Sequence, residues 1–280
     1  MSSLKEIKSR IISVRSTQKI TRAMRMVASA KLHHAQNMAQ NFLRYADELH
    51  DVVTTLQTVR QEEKPAKAVA IIPFSSSSGL CGAFNSNISK ETRRCIDEYL
   101  QAGATVYVYP VGKKITTEIK KDSTLPVNLD YCALNEKAEK EDVYPLVQQF
   151  VAHLLALYNE DKIQRVELVY HHFQSMGKQV IEHKTLTMEK RMVKAHQENL
   201  ITEPSPQELI DALHPRLLNA EFYSTLLDTI TSEHAARMLS MQTADDNAND
   251  LLNELTLLYN KTRQQDITNE LVDIMGGKNA

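Results

Sequence analysis

The side chains able to do chemistry in this 280-residue chain are scattered rather than gathered. The best-placed group is Ser75 to Gly82 (SSSSGLCG), a serine-glycine loop directly after an apolar run, where phosphate-cradling loops sit. It has neither the GxxxxGK nor the GxGxxG spacing, so a tight strand-to-helix turn is the preferred reading. Cys81 within it has no neighbouring base and reads as a packed thiol rather than a nucleophile. Cys81, Cys95 and Cys132 form an odd set without metal-ligand spacing, as in a protein with reduced thiols in a cytoplasm. His33-His34 and His171-His172 are adjacent pairs. Neighbouring side chains on a helix or strand diverge, so neither pair makes a metal site by itself. His234 reads as a core or interface residue, and no two carboxylates stand out as an acid/base couple. The expectation is no catalytic residue, no cofactor and no metal.

Charge is the feature that is concentrated. Eight basic residues from Lys5 to Lys31 face one acid, Glu6, whereas 207–280 hold twelve acids and five bases, although the net charge is only −2. A basic helix invites nucleic acid. However, the first forty residues hold no Phe, Tyr or Trp. The acidic C-terminal arm already offers a partner, so a self-paired charged face is preferred.

The elements that carry these charges are long. Residues 1–64 lack glycine and proline, as does the run from Arg216 to Met275. That run is framed by Pro215 before it and Gly276-Gly277 after it, as suits a helix start and end. A sixty-residue helix would extend for roughly 90 Å. Apolar positions step by three and four: Leu4, Ile7, Ile11, Val14, Ile20, Met24 and Val27/Ala28, then Ala35, Met38, Phe42, Tyr45, Leu49, Val52, Leu56 and Val59. Lys31 interrupts this stripe. The C-terminal run repeats the pattern with Tyr223, Leu227, Ile230, Met241, Ala244, Ala248, Leu251, Leu255 and Leu258. This is coiled-coil spacing.

All eight prolines and five of seven glycines fall from Pro65 to Pro215. There the pattern alternates. Strands are predicted at Ala66–Phe74, Thr105–Val111, Val127–Ala133, Arg165–Phe173 and Gln179–Met188. Helices are predicted at Asn87–Ala102, capped by Gly103, and at Val143–Asn159. A polar connector covers Lys190–Ser205. The predicted architecture is therefore α/β: a long antiparallel coiled coil of N- and C-terminal helices (1–64 and 207–280) with an inserted Rossmann-like α/β domain (65–206). With Val59 near Leu217, the basic residues from Arg22 to Lys31 approach Asp245, Asp246 and Asp250. Small residues in both arms (Ala28-Ser29-Ala30; Ala235, Ala236, Ala244, Ala248) make a slim rod suited to passing through something. No apolar run approaches the roughly 20 residues of a membrane span. The first residues lack the apolar core of a secretory signal. Charge alone leaves a mitochondrial presequence open, but the helix register runs on from Leu4 without a break.

Several stretches carry a family likeness. Gln18 to Lys31 (QKITRAMRMVASAK) strongly resembles the signature of the gamma subunit of F-type rotary ATP synthases. So do Ser232 to Met238 (SEHAARM), Thr243 to Asn247, Leu257 to Gln264 (LLYNKTRQ) and Ile267 to Leu271 (ITNEL). Gly79-Leu80-Cys81-Gly82 with Asn85 is similar to that family's G-L-C-G-x-x-N, and Glu203-Pro204-x-Pro206 to the segment before its last helix. The likeness is dense at both ends and looser between. Arg25 stands where some relatives carry an acid, Ser75 to Ser78 replaces an S-T-D-R type run, and the two-cysteine insertion of chloroplast relatives is not seen.

The resemblance implies a non-catalytic central-stalk rotor subunit of a proton-translocating ATP synthase. Its partners would be the alpha and beta subunits of the catalytic ring, the epsilon subunit and the membrane c-ring. It implies no nucleic acid, no direct membrane span and no nucleotide in the Rossmann-like domain. The location would be peripheral, on the cytoplasmic face of a bacterial cell membrane. Arg263 and Gln264 would bond a beta-subunit loop, and Arg237, Thr268 and Glu270 would lie in a functional belt with Met24. The basic face with Arg22, Arg25 and Lys31 would meet acidic beta-subunit loops, and Glu203 would sit near the c-ring and epsilon. The readings from other classes are a coiled-coil nucleic-acid-binding protein and an α/β nucleotide-binding enzyme.

Overall fold

The computed structural model describes residues 4–56, 66–138, 140–189, 203 and 205–276. In chain order they form α1 (Leu4–Leu56), β1 (Ala68–Pro73), α2 (Phe84–Gln101), β2 (Thr105–Val108), α3 (Lys113–Ile119), α4 (Leu134–Ala138), α5 (Tyr144–Asn159), β3 (Arg165–Ser175), β4 (Lys178–Leu186) and α6 (Pro206–Gly276). The sheet order is β2-β1-β3-β4; β1 runs parallel to β2 and β3, and β4 is an antiparallel edge strand. The chain divides into two compact units, Ala30–Ala236 and the pair Met1–Ser29 with Arg237–Ala280.

The first unit is built on the sheet. β1 (AVAIIP) is a continuous apolar run because both of its faces are covered. Side chains alternate across it. Val69 and Ile71 join a cluster with Ile88 and Ile96 of α2 and Ile115 and Ile119 of α3. Ala70 and Ile72 join Phe150 and Leu154 of α5 and Phe222, Leu226 and Ile230 of α6 on the other face. From Thr225 to Ala236 nearly every residue of α6 is buried, which is what a helix enclosed on all sides requires. Thr225, Thr229 and Thr231 survive there by donating to the carbonyls of Glu221, Thr225 and Leu227. In this unit α1 packs on α6 through Leu49, Val53 and Ala220, and Phe42 meets Tyr223 edge-on at 4.7 Å between ring centroids.

The other unit is two helix stretches in antiparallel register. Gln18 bonds Asn249, Arg22 bonds Asp245 and Arg25 bonds Gln242, so each step forward on α1 is matched by a step back on α6. The buried or half-buried positions of α1 are Leu4, Ile7, Ile11, Val14, Gln18, Thr21, Met24/Arg25 and Ala28; those of α6 from Met241 on are Met241/Gln242, Ala244/Asp245, Ala248, Leu252, Leu255, Tyr259, Thr262 and Asp266. Both sets alternate steps of three and four, the coiled-coil spacing.

Five expectations need correcting. First, Ile20 is 61% exposed and Leu251 and Leu258 also face outward; of the pair Val27/Ala28 it is Ala28 that is buried. The neighbours Thr21, Leu252 and Tyr259 point inward instead, and polar Gln18, Thr21 and Asp245 join the stripe because they bond across or along the pair, which a reading by hydropathy passes over. Second, in the larger unit Tyr45 and Val52 are exposed. Ala46 and Val53 take their places at the α6 contact, as Leu32 replaces Lys31. Third, α6 begins at Pro206 rather than after Pro215, which lies inside it. The Glu208 amide donates to Ser205 Oγ, a helix N-terminal cap that the proline-rich spelling concealed. Fourth, Val127–Ala133 makes only a single bridge, Val127 to Val108. Fifth, α3 and α4 were not foreseen. Val59 and nearly all of the connector Lys190–Ser205 lie outside the described residues.

The Ser75–Gly82 loop is a turn bonded to itself and to its neighbours. Ser75 Oγ accepts from the Ile115 amide, and Ser76 Oγ and Asn85 bond each other. Asn85 Nδ2 also reaches Cys81 Sγ at 3.0 Å. Gly112, with φ +107°, lies so close to the Ser75 backbone that a Cβ would overlap the Ser75 carbonyl oxygen. Only glycine fits both that dihedral and that approach.

Candidate coupling interface

The predicted site residues fall in three places. Arg22, Met24, Arg25 and Lys31 are on α1, and Arg237, Arg263, Gln264, Thr268 and Glu270 are on α6. Glu203 is exposed just ahead of α6.

Arg22 and Arg25 are brought together on one carboxylate. Arg22 Nε lies 2.9 Å and 3.1 Å from the two Asp245 oxygens, and Arg25 Nη1 lies 3.9 Å from Oδ2. The Asp245 side chain is only 6% exposed, whereas that of Arg22 is 48% exposed. A carboxylate at an inward coiled-coil position has to be compensated, and two guanidinium groups from the facing helix do so. Gln242 links this layer to Asp246 through two bonds of 3.0 Å. The predicted approach of the basic arm to Asp245 is present. Asp246 instead bonds Gln242 on its own helix. Met24 is half-buried at the same level, and Lys31 is exposed on the stretch of α1 in the larger unit.

Arg237 is buried, at 9% exposure. Arg263, Gln264, Thr268 and Glu270 all face outward. Thr268 Oγ1 donates to the Gln264 carbonyl at 2.8 Å, so these two lie on one face a turn apart. Arg263, Ile267 and Glu270 follow the same spacing on an adjacent face. The two-helix unit also exposes many apolar side chains: Ile12, Ile20, Met26 and Val27 on α1, and Leu257, Ile267, Leu271, Ile274 and Met275 on α6. Met26 is 65% exposed and Leu257 72%. Exposed apolar residues in such density mark a surface that another protein covers.

In the larger unit the G-L-C-G-x-x-N motif has a packing role. Leu80 and Gly82 adopt positive φ (63° and 58°), turning the chain so that Cys81 and Phe84 pack on Ala236. Phe84 stacks on His171 with centroids 3.9 Å apart. Burial pushes the His171 imidazole down to about 4. Asp228 accepts from the Phe173 amide at 2.8 Å and pairs with His172 Nδ1 at 2.6 Å. The Asp228 bond pulls the His172 imidazole up from its usual range, while burial raises the Asp228 carboxyl. Asp228 was not singled out from sequence, and His172 was weighed only as half of an adjacent histidine pair. The available signal was an acid in the middle of the apolar run Leu226 to Ile230.

Among the described residues no group of His, Cys, Asp and Glu is placed to hold a metal, and no helix is long and apolar enough to cross a membrane.

A fold of two paired terminal helices around a Rossmann-like insert, with an outward apolar surface, defines a class of protein that works inside an assembly. The comparisons specify it. A family model described as ATP synthase matches residues 3–280. The chain is 48% identical to the ATP synthase gamma chain of Parabacteroides distasonis over 287 residues, covering 99% of this chain and 98% of the relative. It is 45% identical to that of Bacteroides fragilis strain ATCC 25285, covering all of both chains. The chain belongs to the ATP synthase gamma chain family. Its fold matches a chain of the Euglena gracilis mitochondrial ATP synthase in rotational state 3 with TM-score 0.69 at 18% identity, covering 99% of this chain and 94% of that one. A chain of the Tetrahymena thermophila central stalk/c-ring structure matches with TM-score 0.57 at 22% identity, over 80% and 99%.

Proposed function

We propose that this chain is the central-stalk rotor subunit of a proton-translocating ATP synthase, linking ion flow through a membrane c-ring to conformational cycling of an alpha/beta catalytic ring. The observation that carries the reading is the outward apolar surface of the two-helix unit, on a pair whose own contacts are already satisfied along a regular inward stripe. Such a surface needs a sleeve. One asymmetric helix pair cannot present the same face to three equivalent catalytic sites. It therefore favours a different conformation at each, and rotation permutes them. The linkage is reciprocal, so nucleotide turnover drives the pair or the pair drives synthesis.

On this reading the chain is non-catalytic. The alpha and beta subunits surround the terminal helices (1–64 and 207–280), while the insert (65–206) rests on the c-ring beside epsilon, with Glu203 on that side. The chain lies peripherally on the cytoplasmic face of a bacterial membrane and binds no nucleotide. The hydroxyls of Ser75 and Ser76, which a phosphate loop would turn outward, are engaged within the protein. Arg263 and Gln264 bond a beta-subunit loop, with Thr268, Glu270, Arg237 and Met24 in the same belt. Arg22, Arg25 and Lys31 form the basic face; the Asp245 pairing holds the first two in place.

Two measurements test this. The chain should co-purify as one copy with three each of two larger subunits. Arg263→Ala should lower ATP-driven proton pumping per ATP hydrolysed without changing the fold. Unchanged pumping in that variant counts against the assignment.

A further inference from the structure

Strand β3 outruns its parallel neighbour. β1 ends at Pro73, paired with Val169, whereas β3 continues to Ser175. On the β1 side the Phe74 amide donates to the Val169 carbonyl. Beyond that point the next ladder groups on the same side are those of His171 and Phe173, with no strand beside them among the described residues. Helix α6 takes the strand's place. Ser232 Oγ donates to the His171 carbonyl at 3.0 Å, and Asp228 Oδ1 accepts from the Phe173 amide at 2.8 Å. The spacing explains the fit. Four residues of helix rise about 6 Å, and two residues of strand about 6.6 Å. Two side chains a turn apart can therefore serve two successive ladder groups, the helix running antiparallel to the strand. Ser232 is fully buried, and the second Asp228 oxygen is held by His172 Nδ1 at 2.6 Å.

Apolar packing of Phe222, Leu226 and Ile230 holds α6 against the sheet but is not directional, so a small roll of the helix would cost it little. Hydrogen bonds to fixed ladder groups are directional and resist that roll. We propose that Asp228 and Ser232 act as a surrogate strand that fixes the angular setting of α6 on the sheet, and that Asp228 is a positioning residue for the coupling assigned above. This inference rests on that functional reading for its second half only; the clamp itself is a property of the chain. The charged and titratable groups facing it are His172 on β3 and Glu182 on β4, the latter also accepting from Tyr170.

The test uses two readouts on Asp228→Ala and Asp228→Asn. In the full chain, Asp228→Ala should speed exchange of the Phe173 amide by about tenfold or more. Asp228→Asn, which keeps an acceptor oxygen, should restore most of the protection. In the assembled enzyme Asp228→Ala should lower proton pumping per ATP hydrolysed, and Asp228→Asn should recover it. Unchanged Phe173 exchange in Asp228→Ala overturns the clamp. Faster exchange with wild-type pumping, while Arg263→Ala uncouples, overturns the positioning role. Wild-type pumping in Asp228→Ala and Arg263→Ala alike overturns the functional reading itself.

Discussion

At the residue scale, His171 shows how burial turns a titratable group into a stability term. Its ring stacks on Phe84, and its Nδ1 is buried without a hydrogen-bond partner. Desolvation lowers its pKa from 6.5 to about 4. The unfolded chain therefore takes up a proton near pH 6.5 that the folded chain refuses until about pH 4. Stability from this group is complete above pH 6.5 and is lost as pH falls toward 4, by on the order of 3 kcal/mol in all. His171→Leu should remove that acid limb: urea midpoints at pH 7 and pH 5 should differ less in the variant than in the wild type. An equal difference in both would refute the burial account. His172, one residue on, has the opposite sign. Its pKa is raised by Asp228, so its contribution is present at low pH and fades as pH rises through the folded value. Neither role was visible in the pair His171-His172, because adjacent strand residues face opposite sides of the sheet and only the packed layers reveal which side is dry.

At the element scale, the coiled-coil unit shows what a sequence pattern conveys and what it hides. The three-four spacing was legible on both helices, as was the complementarity of a basic arm and an acidic one. The phase was less so. Ile20, Leu251 and Leu258 looked like inward residues, yet their neighbours Thr21, Leu252 and Tyr259 hold those positions, and polar Gln18 and Asp245 share the stripe. Satisfied hydrogen bonds offset their desolvation, and hydropathy does not record partners. The same holds for Asn85, whose motif was recognisable but whose contacts with Ser76 and Cys81 exist only in the folded loop. Asp245 also makes the energetic point testable. A buried ion pair contributes little net stability, whereas removing one partner of it is costly. The Arg22 and Arg25 side chains are 48% and 32% exposed and can turn to water, so Asp245→Leu strands no buried charge. It should leave thermal stability unchanged or raise it, while Asp245→Ala, which leaves a gap, should lower it by about 1–3 kcal/mol. A large loss in Asp245→Leu would mean that the charge itself holds the helices together. If stability is retained, the role left to Asp245 is to fix the register, since sliding one helix by a heptad would move it away from Arg22 and Arg25.

At the scale of the whole molecule, the stabilising contacts and the outward apolar residues are separate sets, and that separation can be measured. The inward stripe and the sheet's two apolar clusters account for folding. Met26 and Leu257 contribute almost nothing to either, being 65% and 72% exposed. If these residues serve a surrounding sleeve, their replacement should spare the chain and harm the assembly. Met26→Gln and Leu257→Gln should each change the unfolding free energy of the full chain by no more than about 0.5 kcal/mol. The double variant should weaken association with the two larger subunits and reduce pumping per ATP hydrolysed. A variant that melts as the wild type and assembles and pumps as the wild type would show that this surface has no covering partner. A variant that unfolds in isolation would show that the surface is used within the chain. Only loss confined to the complex fits a chain that folds through one set of residues and couples through another.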